Sequence, residues 1–260
     1  IPLIVCERTN PVAETTTGSV WRKLRRLLYP RADMVTVQAE DTAGPFSRQV
    51  PGIKRLAVIP NPLPEPLLDA PRVRQREDGP RELLAMGRLV TDKQFDLLID
   101  VFAQLAPDFP DWNLRIWGEG PERGALEQQV ARLGLQSRVS LPGRTEAPWD
   151  ELARGQAFVL SSLVEGFPNV LLEAMSLGLP CVAFDCPSGP REMTRDGEDA
   201  LLVPAGNRQA LRDALHRIMG DIALREQLGM RGAAAVRHRY ALDSVLAEWD
   251  ELFEAVREGQ

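Results

Sequence analysis

The sequence predicts an α/β fold: a doubly wound parallel sheet with helices on both faces, preceded by a second, incomplete sheet of the same kind. Three observations carry this. From about Glu82 onward, short apolar runs alternate with amphipathic stretches, the rhythm of repeated strand-then-helix units. Residues 58–76 break the rhythm, because Pro60, Pro62, Pro64, Pro66 and Pro71 leave no room for a helix and a charged run begins at Arg72; this reads as a linker. Ahead of it only two apolar strands are convincing, Leu3 to Cys6 and Met34 to Val37, with the helix Val20 to Tyr29 between them. Two strands cannot close a core. Residues 1–57 are therefore expected to be the remnant of a larger domain, and the chain, which starts without Met in an apolar stretch, to be a fragment.

The remaining elements follow in order. The strand Leu83 to Met86 leads to the helix Phe95 to Leu105, where Phe95, Leu98, Ile99, Phe102 and Leu105 form one stripe at helical spacing. Leu114 to Trp117 precedes a helix over Pro121 to Leu133, and Val139 to Leu141, Ala157 to Leu160, Cys181 to Phe184 and Leu201 to Val203 read as further strands. Pro168 or Asn169 is suited to open a helix that ends near Leu177, since both residues favour a helix start. Two polar-faced helices, Arg208 to Met219 and Ile222 to Val236, precede a last one, Ala241 to Val256, whose apolar side must pack on something. The expected division is 1–57 remnant, 58–76 hinge, 77–240 main domain and 241–260 crossover helix.

Composition narrows the function. The 260 residues are 44% hydrophobic and 26% charged, with net charge −6, so no basic field exists to hold a nucleic-acid backbone. The three cysteines, Cys6, Cys181 and Cys186, lack metal-ligand spacing and lie far in sequence from His216 and His238, so neither a disulfide framework nor a zinc site is expected. No apolar run reaches the roughly 18–20 residues of a membrane-spanning helix. A reducing, cytoplasmic setting is the expectation.

The most informative stretch is Glu165-Gly166-Phe167-Pro168-Asn169-Val170-Leu171-Leu172-Glu173. It follows a predicted parallel strand and opens a helix, so free backbone N–H groups and the positive end of the helix dipole face the sheet edge, where a phosphate can bind. Glu173 lies four residues past Asn169 and returns to nearly the same face one turn deeper, where a carboxylate can accept two ribose hydroxyls. Glu165, on the loop ahead, can approach whatever the phosphate carries. The plainer alternative is a solvated loop acid and an ordinary helix acid.

This Glu-x7-Glu element, in the form EGFPNVLLEAMSLGLPCVAFDCPSGPRE, resembles that of the retaining GT-B glycosyltransferases of family 4. Gly87-Arg88-Leu89-Val90-Thr91-Asp92-Lys93 resembles that family's first strand-to-helix loop of the donor domain, and Val58-Ile59-Pro60-Asn61-Pro62 its hinge. The similarity runs from Glu7-Arg8-Thr9-Asn10 to the last helix, with bacterial polysaccharide and lipid-linked oligosaccharide transferases most alike. The resemblance implies a GT-B-type Rossmann-like donor domain and an incomplete N-terminal Rossmann-like domain. It also implies roles. Arg88 and Lys93 would neutralise the donor diphosphate without a metal or cofactor, Glu165 would orient donor-sugar hydroxyls, and Glu173 would bind the ribose. Gly87 and the backbone of Gly166, Phe167, Pro168, Asn169 and Val170 would line the donor site, and Arg144 would meet the nucleobase.

The implied activity is retaining transfer of a hexosyl or N-acetylhexosaminyl unit from a nucleotide sugar, UDP-linked, to a glycan or polyprenyl-diphosphate-linked acceptor. Weak or no transfer is expected of the chain alone. A nucleotide-sugar epimerase of the same architecture and a non-enzymatic nucleotide- or glycan-binding module are the alternatives. Arg88 with Lys93 could be a surface pair, and Arg144 an exposed loop cation. Gly118-Glu119-Gly120-Pro121-Glu122-Arg123-Gly124 invites a dinucleotide reading, but its spacing and its acids fit a structural turn better. Trp21-Arg22-Lys23-Leu24-Arg25-Arg26-Leu27-Leu28-Tyr29 suits either an interfacial helix at the cytoplasmic face of a membrane or, more readily, a helix with one core face and one solvated face.

Overall fold

Alternation of side chains along β4 (Arg81–Met86) divides the main core in two. Leu83 points into one apolar cluster and Leu84 into the other, as the period of two along a strand requires. A computed structural model of the chain describes residues 1–8, 18–75 and 79–258. Thr9 and Asn10 of the family-like segment, and Arg76 of the linker, lie outside the described residues.

Beside β4 run β5 (Trp112–Trp117), β6 (Val139–Gly143), β7 (Ala157–Leu160), β8 (Cys181–Asp185) and β9 (Leu201–Pro204), all parallel in the order β6-β5-β4-β7-β8-β9. Succeeding strands thus move outward on opposite sides of the β4–β7 pair, where Leu83 sits opposite Ala157. Crevices for ligands open at such a reversal, at the carboxyl ends of the strands. One face is covered by α3 (Phe95–Leu105), α4 (Arg123–Arg132) and α8 (Arg208–Gly220). The other is covered by α5 (Pro148–Ala153), α6 (Asn169–Ser176) and α9 (Ile222–Arg239). The short α7 (Pro190–Met193) follows β8.

The N-terminal sheet has three parallel strands in sequential order, β1 (Ile4–Cys6), β2 (Met34–Val37) and β3 (Leu56–Val58). Two of its features depart from the sequence reading. β3 is a third strand, Leu-Ala-Val, paired with β2 from Val35 opposite Leu56, and three residues give too short a run to show alternation. Before it lies α2 (Glu40–Gln49), with Gly44 and Pro45 inside the helix. Pro45 removes one intrahelical donor near the first turn, while full burial of Phe46 contributes about 1.5–3 kcal/mol. The reading of α1 (Ser19–Leu28) as a helix with one core face is corrected, because none of its residues is buried. Val20, Trp21, Leu27 and Leu28 are each at least half exposed. The narrow sheet is already covered by α2 through Phe46.

The proline-rich connection is packed rather than free. Leu63 and Leu67 are buried in the cluster beneath α6 and α9, and Glu65–Leu67 forms a single 3-10 turn. The N–H of Leu63 donates to the Tyr240 carbonyl at 2.7 Å, and that of Val73 to the Leu177 carbonyl at 2.7 Å. Finally, α10 (Leu242–Glu258) returns to the first sheet, packing Val245, Leu252 and Val256 with Met34 and Ile59.

Candidate functional site

Two loops meet where the strand order reverses. After β4 the chain passes through Gly87, Arg88 and a 3-10 turn at Thr91–Lys93 before α3; after β7 it passes through Ser161 to Pro168 before α6. The Ser161 hydroxyl donates to the Lys93 carbonyl at 2.7 Å, and the Leu163 N–H to the Asp92 carbonyl at 2.8 Å. These bonds fix one loop upon the other. Across the join, Lys93 Nζ donates to Glu165 Oε1 at 2.5 Å, with the two side chains only 17% and 11% exposed. A charge-assisted contact this sheltered holds both groups in place. It also gives the site a cation that can exchange a carboxylate partner for a phosphate.

α6 begins at Asn169, and its N-cap residue, Pro168, supplies no side-chain cap. The Asn169 N–H donates to the Phe167 carbonyl at 2.9 Å, and those of Leu171 and Leu172 donate to the Pro168 carbonyl at 2.9 and 3.3 Å, so what this start presents at the sheet edge is chiefly the positive end of the helix dipole. Phe167 is buried, with its ring edge-on to Tyr240 at 6.0 Å, and Val170 is half-buried. Gly166 and Gly87 are also partly covered; a side chain at Gly87 would meet Lys93 and Phe95. One turn into α6, burial pushes the Glu173 carboxyl above its ordinary pKa, opposed by a hydrogen bond from Trp149. A half-buried acid with one oxygen already oriented is suited to bind a diol.

Arg88 is exposed. Arg144 is also exposed, beyond β6; together with the nearer Arg123, its charge holds the Glu119 carboxyl below the usual range. The structure thus joins Lys93 to Glu165 across the two loops, sets Gly87 beside Lys93, runs Gly166 to Val170 from Glu165 into α6 with Phe167 buried, places Glu173 one turn further beside Trp149, and leaves Arg88 and Arg144 exposed.

The glycines of Gly118-Glu119-Gly120 serve packing. A Cβ at Gly118 would lie 1.8 Å from the Gly87 carbonyl oxygen, and one at Gly120 would lie 2.2 Å from that of Leu89. Their absence lets the β5–α4 loop support the Gly87–Leu89 backbone, which donates from Gly87 to the Trp117 carbonyl and from Leu89 to that of Glu119. Cys181 and Cys186 are buried, and burial raises the Cys186 thiol to about 12. His216 lies edge-on to Phe109 at 5.1 Å, away from the crevice loops. Among the described residues, no group of three or more His, Cys, Asp or Glu is placed to hold a metal ion.

The helix α2 of the first unit meets the loop after β8 and α7. The Asp41 carboxylate accepts from the Ser188 N–H at 2.8 Å, the Thr42 and Ser188 hydroxyls are 2.8 Å apart, and Glu192 accepts from the Glu40 N–H at 3.1 Å. Sequence reasoning missed these partners and Trp149, since single polar residues on unpredicted or short helices carry no spacing signal. Asn61 was legible only as part of a hinge between two prolines.

The fold defines a GT-B architecture, two parallel α/β units joined by the proline-rich connection and the returning α10. Residues 69–234 match the family of glycosyl transferases group 1, and the chain belongs to it. It is 42% identical over 200 residues to the exopolysaccharide phosphotransferase of Streptomyces coelicolor, covering 76% of this chain and 21% of that one. It is 30% identical over 237 residues to a Campylobacter jejuni protein, N-acetylgalactosamine-N,N'-diacetylbacillosaminyl-diphospho-undecaprenol 4-alpha-N-acetylgalactosaminyltransferase, covering 86% and 62%. HepE of Anabaena, solved with UDP and glucose, superposes with a TM-score of 0.85 at 20% identity, over 98% of this chain and 72% of that one. The chain thus spans between a fifth and about two thirds of the length of these curated relatives.

Proposed function

We propose that this chain carries the donor-binding half of a retaining glycosyltransferase of polysaccharide or oligosaccharide biosynthesis, with donor binding in residues 77–240 and residues 1–57 belonging to the acceptor side. The whole protein would transfer a hexosyl or N-acetylhexosaminyl unit from a UDP-linked sugar to a glycan or a polyprenyl-diphosphate-linked acceptor. The observation that carries this reading is the join of the two loops: a sheltered Lys93–Glu165 pair beside the uncapped start of α6, in a chain of this family. The nucleotide beside HepE supports the choice of base, and the name of the Campylobacter relative supports the acceptor class.

In this reading the diphosphate lies at the start of α6, along Phe167, Pro168, Asn169 and Val170. Lys93 leaves Glu165 for a phosphate oxygen, and Arg88 swings from solvent to form a planar fork on the same group, so charge on the leaving diphosphate is met by cations without a metal or cofactor. Freed from Lys93, Glu165 accepts from donor-sugar hydroxyls near the anomeric carbon. Glu173 accepts the two ribose hydroxyls, and Arg144 closes on the base. The sugar leaves with its anomeric configuration kept. Proton NMR of the product that the whole protein makes from an α-linked UDP-sugar tests this: an α-linked product is expected, and a β-linked one overturns the retaining assignment.

No helix of the described residues is long and apolar enough to cross a membrane. Contact with the cytoplasmic face would run through α1, whose exposed Val20, Trp21, Leu27 and Leu28 accompany Arg22, Lys23, Arg25 and Arg26, the composition of an interfacial helix.

A further inference from the structure

We infer that Asn61 is a positioning residue, which sets the start of α6 against the first sheet and so holds the phosphate end of the donor site. The inference rests on the donor-site reading above and adds to it a residue from outside the two site loops. Asn61 stands midway along the connection between the sheets, and its backbone is fixed on both sides. The Ile59 N–H donates to the Val37 carbonyl at 2.9 Å, and the Leu63 N–H donates to the Tyr240 carbonyl at 2.7 Å. Its amide then joins three elements. The oxygen accepts from Arg8 Nη2 at 2.6 Å and from Gln38 Nε2 at 2.5 Å, both at the carboxyl end of the first sheet. The nitrogen donates to Asn169 Oδ1 at 2.9 Å, on the first residue of α6.

The chemistry explains why an amide stands there. A carboxamide carries its acceptor and its donor on separate atoms, so it can bridge the two donors of the first sheet to an acceptor on α6. Gln38 is buried, 8% exposed, and a buried amide left without its acceptor is costly, which makes the arrangement specific. On its opposite side the same turn of α6 is confined: a Cβ at Gly189 would lie 3.1 Å from Pro168 Cδ, and the neighbouring Ser188 is bonded to Asp41 and Thr42 of α2. The start of α6 is thus linked to the first unit directly through Asn61 and indirectly through the loop after β8, which α2 holds at Ser188. With Asn169 held by Asn61, the first turn of α6, closed by the Leu171 and Leu172 N–H groups on the Pro168 carbonyl, keeps one position relative to the first sheet.

The test compares wild type, Asn61→Ala, Asn169→Ala and the double variant by calorimetry with UDP and with UMP, and by hydrogen exchange of the nucleotide-free chain. The inference expects Asn61→Ala to weaken UDP about three- to tenfold, the range of one neutral hydrogen bond, and to leave UMP within twofold. The double variant should lose no more than the worse single, since both changes cut one link. Exchange at the first turn of α6 should quicken in Asn61→Ala while that of β7 and β8 stays unchanged. Equal loss of UDP and UMP, or unaltered exchange at α6, overturns the inference. A wild-type chain that ignores UDP overturns the donor-site reading instead, and the exchange measurement still decides whether Asn61 holds the helix.

Discussion

Lys93 and Glu165 illustrate what a single contact contributes at this site. Each neutralises the other in a sheltered crevice, so removing one leaves a charge facing desolvation alone. Lys93→Ala and Glu165→Ala should each cost about 1–3 kcal/mol, less than the ~3–5 kcal/mol of a fully dry pair. The double variant should be more stable than at least one single in urea unfolding; if its loss equals the sum of the singles, the two do not act as a pair. Glu173 shows the reverse economy. Burial raises its pKa, so the fold favours the protonated acid, and ionisation destabilises it as pH rises through the raised value. Glu173→Gln should therefore melt higher than wild type at pH 7, with the difference shrinking below the ordinary value of 4.5. A variant that melts lower at pH 7 would show that the carboxylate is instead stabilised by the fold. Sequence reasoning singled out Glu165 and Glu173 because the Glu-x7-Glu spacing sits on a strand-loop-helix pattern, and Lys93 because its loop resembles the family's. It could not find Trp149, whose contact with Glu173 depends on α5 packing against α6.

At the scale of elements, what the sequence showed and what it hid divide by length. The six strands of the larger sheet and its long helices were legible because each is long enough, or buried enough, to show a period. β3 and α2 were not: one has three residues, and the other contains Gly44-Pro45, a pair that normally ends a helix. The proline-rich connection misled in another way. Its prolines exclude a helix, but they do not exclude burial, and Leu63 anchors it at 1% exposure. Leu63→Ala should cost about 2–5 kcal/mol, as for other buried leucines; a loss under 1 kcal/mol in denaturant unfolding would show that the connection is not anchored there. α1 makes a separate prediction. If its exposed face meets anionic lipid, the chain should sediment with vesicles containing acidic lipid, and changing Arg22, Lys23, Arg25 and Arg26 to Gln should abolish that. Sedimentation that survives the four changes would remove α1 from the account.

For the whole molecule, one topological fact places the chemistry. The order β6-β5-β4-β7-β8-β9 opens a crevice between β4 and β7, and the loops after those two strands carry Lys93 and Glu165. The first sheet is tied to the larger unit through Asn61 on α6 and α2 on the loop after β8, with the returning α10 packed on the first sheet itself. Binding of a nucleoside diphosphate in this crevice is tested most directly by calorimetric titration of the chain with UDP, GDP and ADP, alongside Glu173→Ala. UDP should bind in preference to the others, and more weakly by about tenfold once Glu173 is lost, the effect of roughly 1.4 kcal/mol from a charged hydrogen-bonded contact. A folded chain that binds none of the three, or binds UDP equally well without Glu173, would contradict it.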